Sequence, residues 1–376
     1  MKKLSDICDI QYGYAFDSKY FTQDSSYPPL ARIRDVKRGY SETYYSGNYP
    51  EEYILTSGDL LIGMDGEFNI ARWKSDGALL NQRVCKLTAK KGTNGEYLRF
   101  AMSKALKEIE EKTAFVTVKH LSAKELNKLK LNVPDLSEQN RIAEILSRLE
   151  MIIDVQHQEI KKLDDLIKAR FIEMFGDCII NPKGWKTRCL EEIAEVGSSK
   201  RVFVDELQET GIPFYRGTEI GSLAEGKKVT PQLFITENHY EELCKATGTP
   251  QIGDLLMPSI CPDGRIWMVN TDEPFYFKDG RVLWIHAIDI NYNPVFLLYT
   301  LKDRIMADYS NIASGTTFAE LKIFALKKCQ IFDVPIILQN EFAAFVAQTD
   351  KSKVAIQKSL EKTQLLFDSL MQKYFG

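Results

Sequence analysis

The side chains of this sequence that can do chemistry are mostly basic, and they gather in local clusters. Segment 27–40 carries four cations against one acid, and segment 71–91 carries six against one. Lysine and arginine neutralise phosphates, and arginine also donates two parallel hydrogen bonds to the edge of a guanine base. In the first half, the basic residues that can make such contacts are Arg32, Arg34, Lys37, Arg38, Arg72, Lys74, Arg83 and Lys119. In the second half they are Lys200, Arg201, Arg216, Lys227, Lys228, Arg265, Lys278 and Arg281.

Aromatic residues lie between the basic residues of the first half, where they can pack on sugars or unstacked bases. They are Tyr12, Tyr14, Tyr40, Tyr44, Tyr45 and Trp73. For any single lysine, a solvated surface charge is the commoner explanation. Arg32 and Arg216 occupy matching places in the two halves of the chain, so a role in the fold and a role in binding carry equal weight for them.

Motifs that would support catalysis are absent or incomplete. An amino-methyltransferase would carry an Asn/Asp-Pro-Pro-Tyr/Phe tetrapeptide, and the sequence has none. Segment 221–227 fits the spacing of a phosphate-binding loop, but Lys228 stands where the magnesium-binding Ser or Thr should be. Glu159 and Lys161 mimic part of a nuclease pattern, yet they fall on a predicted helix. We therefore expect no catalytic residue and no cofactor or metal in this chain.

The seven cysteines and four histidines are scattered, and no C-x-x-C pair occurs. Such a pattern predicts free thiols in a reducing cytosol and argues against a zinc site. The chain starts without an apolar signal sequence, and no apolar run reaches the roughly 18–20 residues of a membrane span. These features predict a cytoplasmic protein that does not contact a membrane.

The length of 376 residues and the composition predict an ordinary globular protein of two domains. Hydrophobic residues make up 44% and charged residues 27%, which excludes disordered and disulfide-scaffold classes. The 49 basic and 52 acidic residues give a net charge of −3. That balance argues against non-specific coating of nucleic acid, but it allows a site-specific reader with locally clustered basic residues.

The chain repeats itself once. Seven short matches occur in the same order in both halves, at offsets that drift only from 184 to 201 residues. They indicate two tandem domains of one type. The matches are Leu4 and Ile7 with Leu190 and Ile193, 29–32 with 213–216, 58–61 with 253–256, 83–84 with 281–282, 133–134 with 334–335, 139–140 with 339–340, and 175–176 with 375–376.

Each half has short mixed elements followed by a long helical pattern. Apolar runs bounded by Gly, Asp and Asn predict strands near 60–62, 83–87, 255–257, 265–269 and 281–285. Segments 96–111 and 294–307 have helical spacing. Together these patterns predict a mixed α/β (α+β) fold with a twisted sheet in each half.

A helix is predicted over 138–175, with Ser137 as its N-cap and a glycine after Phe175 as its C-cap. No Gly or Pro interrupts it, and a matching helix closes the second half. Apolar residues alternate at spacings of three and four, which predicts a coiled-coil seam. The seam residues are Ile142, Ile145, Leu149, Ile152, Leu163 and Leu166 in the first helix, and Phe342, Phe345, Ile356, Leu360, Leu366 and Leu370 in the second.

The order of these elements predicts an arrangement. If the two helices pack antiparallel, the two globular domains are separated by a helical spacer, with a pseudo-two-fold axis across it. The alternative is that each helix folds back onto its own domain.

Several motifs together resemble the specificity subunits of type I restriction–modification systems, and the resemblance covers the whole chain. The motifs are VPDLSEQNRIA at 133–143, EMFGD at 173–177 with NPKGW at 181–185, IPFYRGTEI at 212–220, GDLL at 58–61 and 253–256, and SGTT at 314–317. Thr316 and Thr317 belong to the last of these and join the candidate DNA contacts. The first half keeps only Thr113 and Thr117 in that region, and it has no glycine there.

The resemblance implies a non-catalytic subunit whose two target recognition domains read the halves of a bipartite, asymmetric DNA site. It implies domains at 1–136 and 177–336, with conserved spacer helices at 137–176 and 337–376 acting as a ruler. It also implies two methyltransferase subunits that use S-adenosylmethionine, and restriction subunits that use ATP and Mg²⁺. Two other interpretations stay open: a coiled-coil scaffold whose globular domains bind protein or saccharide, and the specificity chain of a type IIB-like enzyme.

Overall fold

In the computed structural model, the described part of the chain comprises residues 1–112, 120–315 and 319–376. The chain divides into a first unit, Met1–Glu159 with Ile356–Gly376, and a second unit, Ile160–Ala355. The two unit boundaries fall inside two long helices, so each unit contains part of both helices. No described helix is both long and apolar enough to cross a membrane.

The first unit combines short strands with helices. Its strands are β1 (Lys2–Lys3), β2 (Cys8–Tyr12), β3 (Phe21–Thr22), β4 (Leu30–Ala31), β5 (Tyr44–Tyr45), β6 (Ile54–Leu55), β7 (Leu60–Gly63), β8 (Ile70–Arg72), β9 (Ala78–Leu80), β10 (Val84–Ala89) and β11 (Lys130–Leu131). Its helices are α1 (Leu4–Ile7), α2 (Ile33–Val36), α3 (Gly95–Lys112), α4 (Ala123–Lys128) and the first part of α5 (Leu136–Phe175).

The main sheet of the first unit is antiparallel, in the order β2-β10-β7-β8. Strand β7 is buried along its whole length and pairs with β10 in a register that sets Leu61 opposite Lys86. The turn before β7 needs Gly58, whose φ of 91° lies in the left-handed region. Asp59 closes this turn by accepting the backbone N–H of Thr56 at 2.9 Å. The strand predicted near 60–62 is confirmed as a buried strand that follows this turn.

The second unit repeats this plan. Its strands are β12 (Thr187–Cys189), β13 (Glu195–Gly197), β14 (Ile212–Tyr215), β15 (Phe234–Ile235), β16 (Leu255–Pro258), β17 (Trp267–Met268), β18 (Tyr276–Phe277), β19 (Val282–His286), β20 (Ala313–Ser314), β21 (Glu320–Leu321) and β22 (Gln330–Phe332). Its helices are α6 (Gly217–Ala224), α7 (Glu237–Thr247), α8 (Pro294–Ile312), α9 (Ile323–Lys327) and part of α10 (Ile336–Phe375).

The sheet order confirms the duplication. The main sheet of the second unit is β13-β19-β16-β17, in which each strand takes the place of its counterpart in β2-β10-β7-β8. Each unit also has a three-stranded sheet with one parallel pair, β4 with β9 and β14 with β18. The mixed helix-and-sheet fold predicted from the sequence is therefore confirmed in both units.

A buried glutamine fastens the first unit to its long helix. Gln139 is 1% exposed and accepts the backbone N–H of Asn94 at 2.9 Å. Its amide nitrogen donates to the carbonyls of Pro134 at 2.9 Å and Gly92 at 3.2 Å. Beside it, the side chain of Asn94 donates to Asn140 at 2.8 Å. Three of these four hydrogen bonds hold the segment before α3 against the start of α5, and the fourth, to Pro134, is local to the start of α5.

The second unit contains the same set of hydrogen bonds around a buried glutamine, which we call the glutamine clasp. Gln339 is fully buried, accepts the backbone N–H of Asn293 at 2.9 Å, and donates to the carbonyls of Val334 at 2.7 Å and Asn291 at 3.1 Å. The side chain of Asn293 donates to Asn340 at 2.8 Å. The Gln-Asn pairs that matched in sequence thus have the same structural role in both units.

The long helices α5 and α10 each contain 40 residues, or about 60 Å of helix. The predicted N-cap of the first was wrong. Helix α5 begins at Leu136, and the side chain of Asp135 accepts the backbone N–H of Glu138 at 2.9 Å. Because the helix begins at Leu136, Ser137 lies inside the first turn, and Asp135, three residues before the N–H of Glu138, occupies the capping position.

Within each unit the two long helices run antiparallel. In the first unit, Gln156 donates to Ser359 at 2.8 Å, and Arg141 lies 5.8 Å from the ring centre of Tyr374. In the second unit, Lys353 pairs with Asp164 at 2.6 Å, and the rings of Phe171 and Phe342 lie 5.4 Å apart. As the residue number increases along α5, the number of the residue that it contacts on α10 decreases, as antiparallel packing requires.

The predicted seam differs from the structure at three positions. Ile152, Leu166 and Leu366 are 45%, 49% and 50% exposed. Each is followed by another apolar residue one position on, which lies about 100° further around the helix and also fits a three-and-four spacing. The less exposed residues in their place are Ile153, Ile167 and Phe367. The other predicted seam residues, Ile142, Ile145, Leu149, Leu163, Phe342, Phe345, Ile356, Leu360 and Leu370, are buried or half-buried.

Candidate nucleic-acid interface

A basic surface of the first unit surrounds a buried carboxylate, Asp35, on α2. Asp35 is 0% exposed and accepts hydrogen bonds from Arg38, from Ser41 at 3.0 Å and from the backbone N–H of Arg32 at 3.1 Å. The hydrogen bond to Asp35 raises the pKa of Arg38. Arg34 reaches to 4.0 Å from the same carboxylate. One buried acid therefore organises two guanidinium groups.

Two lysines extend this surface. Lys37 and Lys74 are exposed, and neither has an ion-pair partner among the described residues. The backbone N–H of Lys74 donates to the carbonyl of Gly39 at 2.9 Å, which brings it next to the end of α2. The structure thus places Lys74, from the second predicted basic segment of the first half, beside the cations of the first segment. Unpaired lysines of this kind suit contacts to phosphate.

Other predicted cations of the first unit are held by acids. Arg72 hydrogen-bonds both Glu96 on α3 and the carbonyl of Gly58, so it ties β8 to its neighbours. Arg83 lies 3.4 Å from Asp65, and Asp65 also contacts His120. Arg83 remains 52% exposed at its side chain, whereas the double tether of Arg72 gives it a structural role.

The side chains of the matching arginines of the two units, Arg32 and Arg216, make different contacts. Arg216 is paired with Glu219 through two hydrogen bonds, at 2.7 and 3.2 Å. The side chain of Arg32 makes no ion pair in the described part of the chain and lies 5.7 Å from the ring centre of Phe21. In both units the acid three residues on accepts the N–H of the arginine that precedes the helix. The two units therefore share the acidic side chain that caps the helix. Their arginine side chains occupy matching sequence positions but make different contacts.

The predicted basic contacts of the second unit are mostly paired as well. Arg281 and Lys322 both contact Glu320, Arg265 contacts Asp263 at 2.8 Å, and Arg201 and Lys278 lie 3.8 and 3.3 Å from Asp279. Lys227 pairs with Glu225. Among the predicted contacts of this unit, Lys200 and Lys228 are exposed and have no acid partner within the described ranges. The predicted contacts Lys119, Thr316 and Thr317 lie outside the described residues, as do Thr113 and Thr117.

Two of the predicted aromatic contacts are core residues instead. Trp73 is 1% and Tyr45 4% exposed, and both pack inside the first unit. Tyr14 and Tyr40 are 41% and 47% exposed and stay available for stacking. A large aromatic ring between basic residues can face either way, so burial could not be told from sequence alone.

The acidic partners were not anticipated from sequence. Asp35, Glu219, Asp65 and Glu320 each fix one or more candidate arginines. A signal existed for the first two, because each follows an arginine by three residues at a matching place in the repeat. The described residues include no cluster of histidine, cysteine and acidic side chains that could hold a metal ion. All seven cysteines are free thiols.

Protonation of Glu219 is expected to destabilise the second unit. Burial favours the neutral form, but hydrogen bonds from Arg216 and Thr218 outweigh it and lower the pKa of Glu219 from 4.5 to about 2. Because the folded-state pKa is depressed, the stabilisation is present above pH 4.5 and is lost as the pH falls toward 2. We expect Glu219→Gln to cost about 2 kcal/mol at pH 6 and almost nothing near pH 2.

Urea unfolding of the full chain at several pH values measures this difference. Glu209→Gln is the matched control, because Glu209 is exposed and no ion pair to it occurs within the described residues. A cost for Glu219→Gln that stays constant from pH 6 to pH 2 would contradict the role given to its carboxylate.

Comparison with protein families gives a match over most of the chain. A family model described as "Type I restriction modification DNA specificity domain" matches residues 1–165 and 182–365. The EcoBI specificity subunit of Escherichia coli is 40% identical over 166 residues, which cover 44% of this chain and 35% of that protein. The MjaIX specificity subunit of Methanocaldococcus jannaschii is 22% identical over 320 residues, or 78% of this chain and 71% of that protein.

Solved structures share the fold. The S subunit of a type I restriction–modification system from M. genitalium matches with a TM-score of 0.60 at 15% identity, over 100% of this chain and 95% of that chain. A chain from a study of complex assembly and conformational transition of the type I R-M system matches with a TM-score of 0.54 at 18% identity, over 99% and 96%. At these identities the likeness concerns the fold alone.

Proposed function

Because the chain belongs to the family of type I restriction–modification DNA specificity domains, whose members are non-catalytic, we propose that it reads a bipartite, asymmetric duplex DNA sequence. Each globular domain reads one half of the site. The observation that carries this proposal is the duplicated domain with a shared scaffold and different exposed side chains. The same sheet order and the same glutamine clasp occur twice, whereas the basic surfaces differ.

The proposed reading domains are residues 1–136 and 177–336, and the proposed spacer helices are 137–176 and 337–376. The exposed cations without acid partners supply phosphate contacts, and arginines with spare donors read bases. Two methyltransferase subunits that use S-adenosylmethionine bind this chain and modify adenines at the site. Restriction subunits driven by ATP and Mg²⁺ join for cleavage, and the complex acts in the cytoplasm.

Selection from a randomised duplex library tests this function. The full chain is mixed with its methyltransferase subunits, and bound duplexes are sequenced. We expect enrichment of two short blocks separated by a fixed gap, with affinity that falls steeply as salt rises. Bound duplexes without any shared sequence would contradict the proposal. Salt-insensitive binding would contradict the phosphate contacts.

The length of the long helices is proposed to set the gap between the two blocks. Adding one heptad within 142–166 and one within 342–366 keeps the helices in register and lengthens each by about 10 Å. At about 3.4 Å per base pair, the gap should grow by about three base pairs while both half-sequences stay the same. The same library selection measures it.

A variant with the heptad added only to the first helix is the control, because it breaks the register between the helices. It should lose folding stability and should not produce a new gap. An unchanged gap in the double insertion would mean that the helices do not act as the ruler.

A further inference from the structure

A polar cavity of about 330 Å³ opens beside α2 in the first unit. Its lining consists of Gln23, Arg34, Arg38, Glu42 and Thr43. These side chains offer guanidinium, amide, carboxylate and hydroxyl groups, which is the mixture that reads the donors and acceptors on base edges. A cavity built for phosphate would carry an excess of cations. Here Glu42 and the buried Asp35 offset the charge of both arginines.

All three guanidinium nitrogens of Arg38 donate hydrogen bonds within the protein, so this side chain supports the surrounding structure. Its Nε donates to the carbonyl of Tyr40 at 3.0 Å, its Nη1 donates to Glu42 at 3.3 Å, and its Nη2 donates to Asp35. The ring of Tyr40 lies 4.8 Å from its guanidinium carbon. With every nitrogen of the guanidinium occupied, Arg38 has little capacity left for a ligand.

Arg34 is oriented but keeps donors to spare. Its Nη2 donates to Thr43 at 3.1 Å, and its Nε lies 4.0 Å from Asp35. Thr43 is itself buried, so this hydrogen bond anchors one edge of the guanidinium. The side chain of Arg34 is nevertheless 62% exposed, and Nη1 has no hydrogen-bond partner among the described residues. A guanidinium that is fixed on one edge and open on the other is prepared for two parallel hydrogen bonds.

The second unit has a different set of side chains at these places. At the offset of 184 that relates Arg32 to Arg216, Arg34 corresponds to Thr218 and Arg38 to Ser222. The capping acid is retained, as Asp35 and Glu219. Thr218 and Ser222 make local hydrogen bonds within α6. The scaffold is therefore common to both units, and the residues on its exposed face are not, as sites that read different sequences require.

We propose that Arg34 is a specificity-determining residue of the first domain, and that it reads a guanine through the O6 and N7 atoms of its major-groove edge. Asp35, Thr43 and Arg38 are positioning residues for it. This inference rests on the proposed function, since it assigns one base of the first half-site to one side chain.

Arg34→Ala in the full chain, assembled with its methyltransferase subunits and selected on the randomised duplex library, tests the assignment. We expect one G·C position in one block to lose about tenfold or more of its preference, while the other block and the gap stay unchanged. Arg34→Gln should shift that same position toward A·T, because glutamine pairs with adenine. The glutamine variant also keeps the test open if the alanine variant folds poorly.

Lys37→Ala is the matched control, since Lys37 lies on the same surface without an ion pair. It should weaken binding to all sequences alike and leave the selected motif unchanged. If Arg34→Ala behaves like Lys37→Ala, Arg34 contacts phosphate and the assignment is wrong. If the wild-type chain selects no motif at all, the proposed function fails, which is a separate outcome.

Discussion

Replacing Phe175 with alanine is expected to destabilise the second unit by about 4 kcal/mol. Phe175 ends α5, is 0% exposed, and its ring lies 4.8 to 5.6 Å from the rings of Phe171, Phe296 and Phe342. Removing the ring loses these aromatic contacts and leaves a cavity that three rigid neighbours cannot fill. Urea unfolding followed by tryptophan fluorescence measures the effect, because three of the four tryptophans, Trp185, Trp267 and Trp284, lie in this unit.

The repeat provides a matched control at Phe375. Phe375 ends α10 but is only half-buried, and in the first unit its ring lies 5.2 Å from Tyr97 and 6.5 Å from Tyr374. Phe375→Ala should cost about 2 kcal/mol or less, because less apolar surface returns to water. Equal losses at the two positions would contradict the account, since they would show that burial at Phe175 adds nothing.

Replacing Gln139 or Gln339 with alanine is expected to cost about 3 kcal/mol in each case. Each glutamine side chain makes three hydrogen bonds to backbone groups, and alanine would leave one N–H and two carbonyls without their partner. Buried backbone groups that lose their partners bear their full desolvation cost. Chemical denaturation of the full chain measures the loss for each variant.

Gln158→Ala is the control for the glutamine clasp. Gln158 is exposed on the same helix as Gln139, and its side chain makes no hydrogen bond within the described residues. Its replacement should change the free energy of unfolding by less than about 0.5 kcal/mol. A similarly small effect at Gln139 and Gln339 would mean that water replaces the clasp without loss.

The repeat and the main elements could be predicted from sequence because both leave local patterns. The Gly-Asp pairs before β7 and β16 mark turns, and the uninterrupted apolar periodicity marks α5 and α10. The sequence showed the matching Gln-Asn pairs, but it did not reveal their hydrogen bonds to Asn94 and Asn293. Those partners lie 45 and 46 residues away, where no periodicity reaches.

Other features depend on packing that sequence does not reveal. Leu166 and Ile167 are adjacent and apolar, so both registers of the seam satisfied the pattern, and the packing of Ile167 in the core of the second unit distinguishes them. The candidate interface shows the same limit. Charge counts located the basic segments, but Arg72 and Arg281 are tied to Glu96 and Glu320, which stand 24 and 39 residues away along the chain. A basic residue is available for binding only if the fold leaves it unpaired.

The central claim is that two related domains read two different DNA sequences at a fixed separation. Sequencing the methylated adenines in a host that carries this chain and its methyltransferase subunits tests it most directly. We predict one asymmetric motif of two defined blocks with an undefined gap of constant length, methylated in both blocks. Methylation at a single undivided sequence, or at adenines with no common sequence, would contradict the claim.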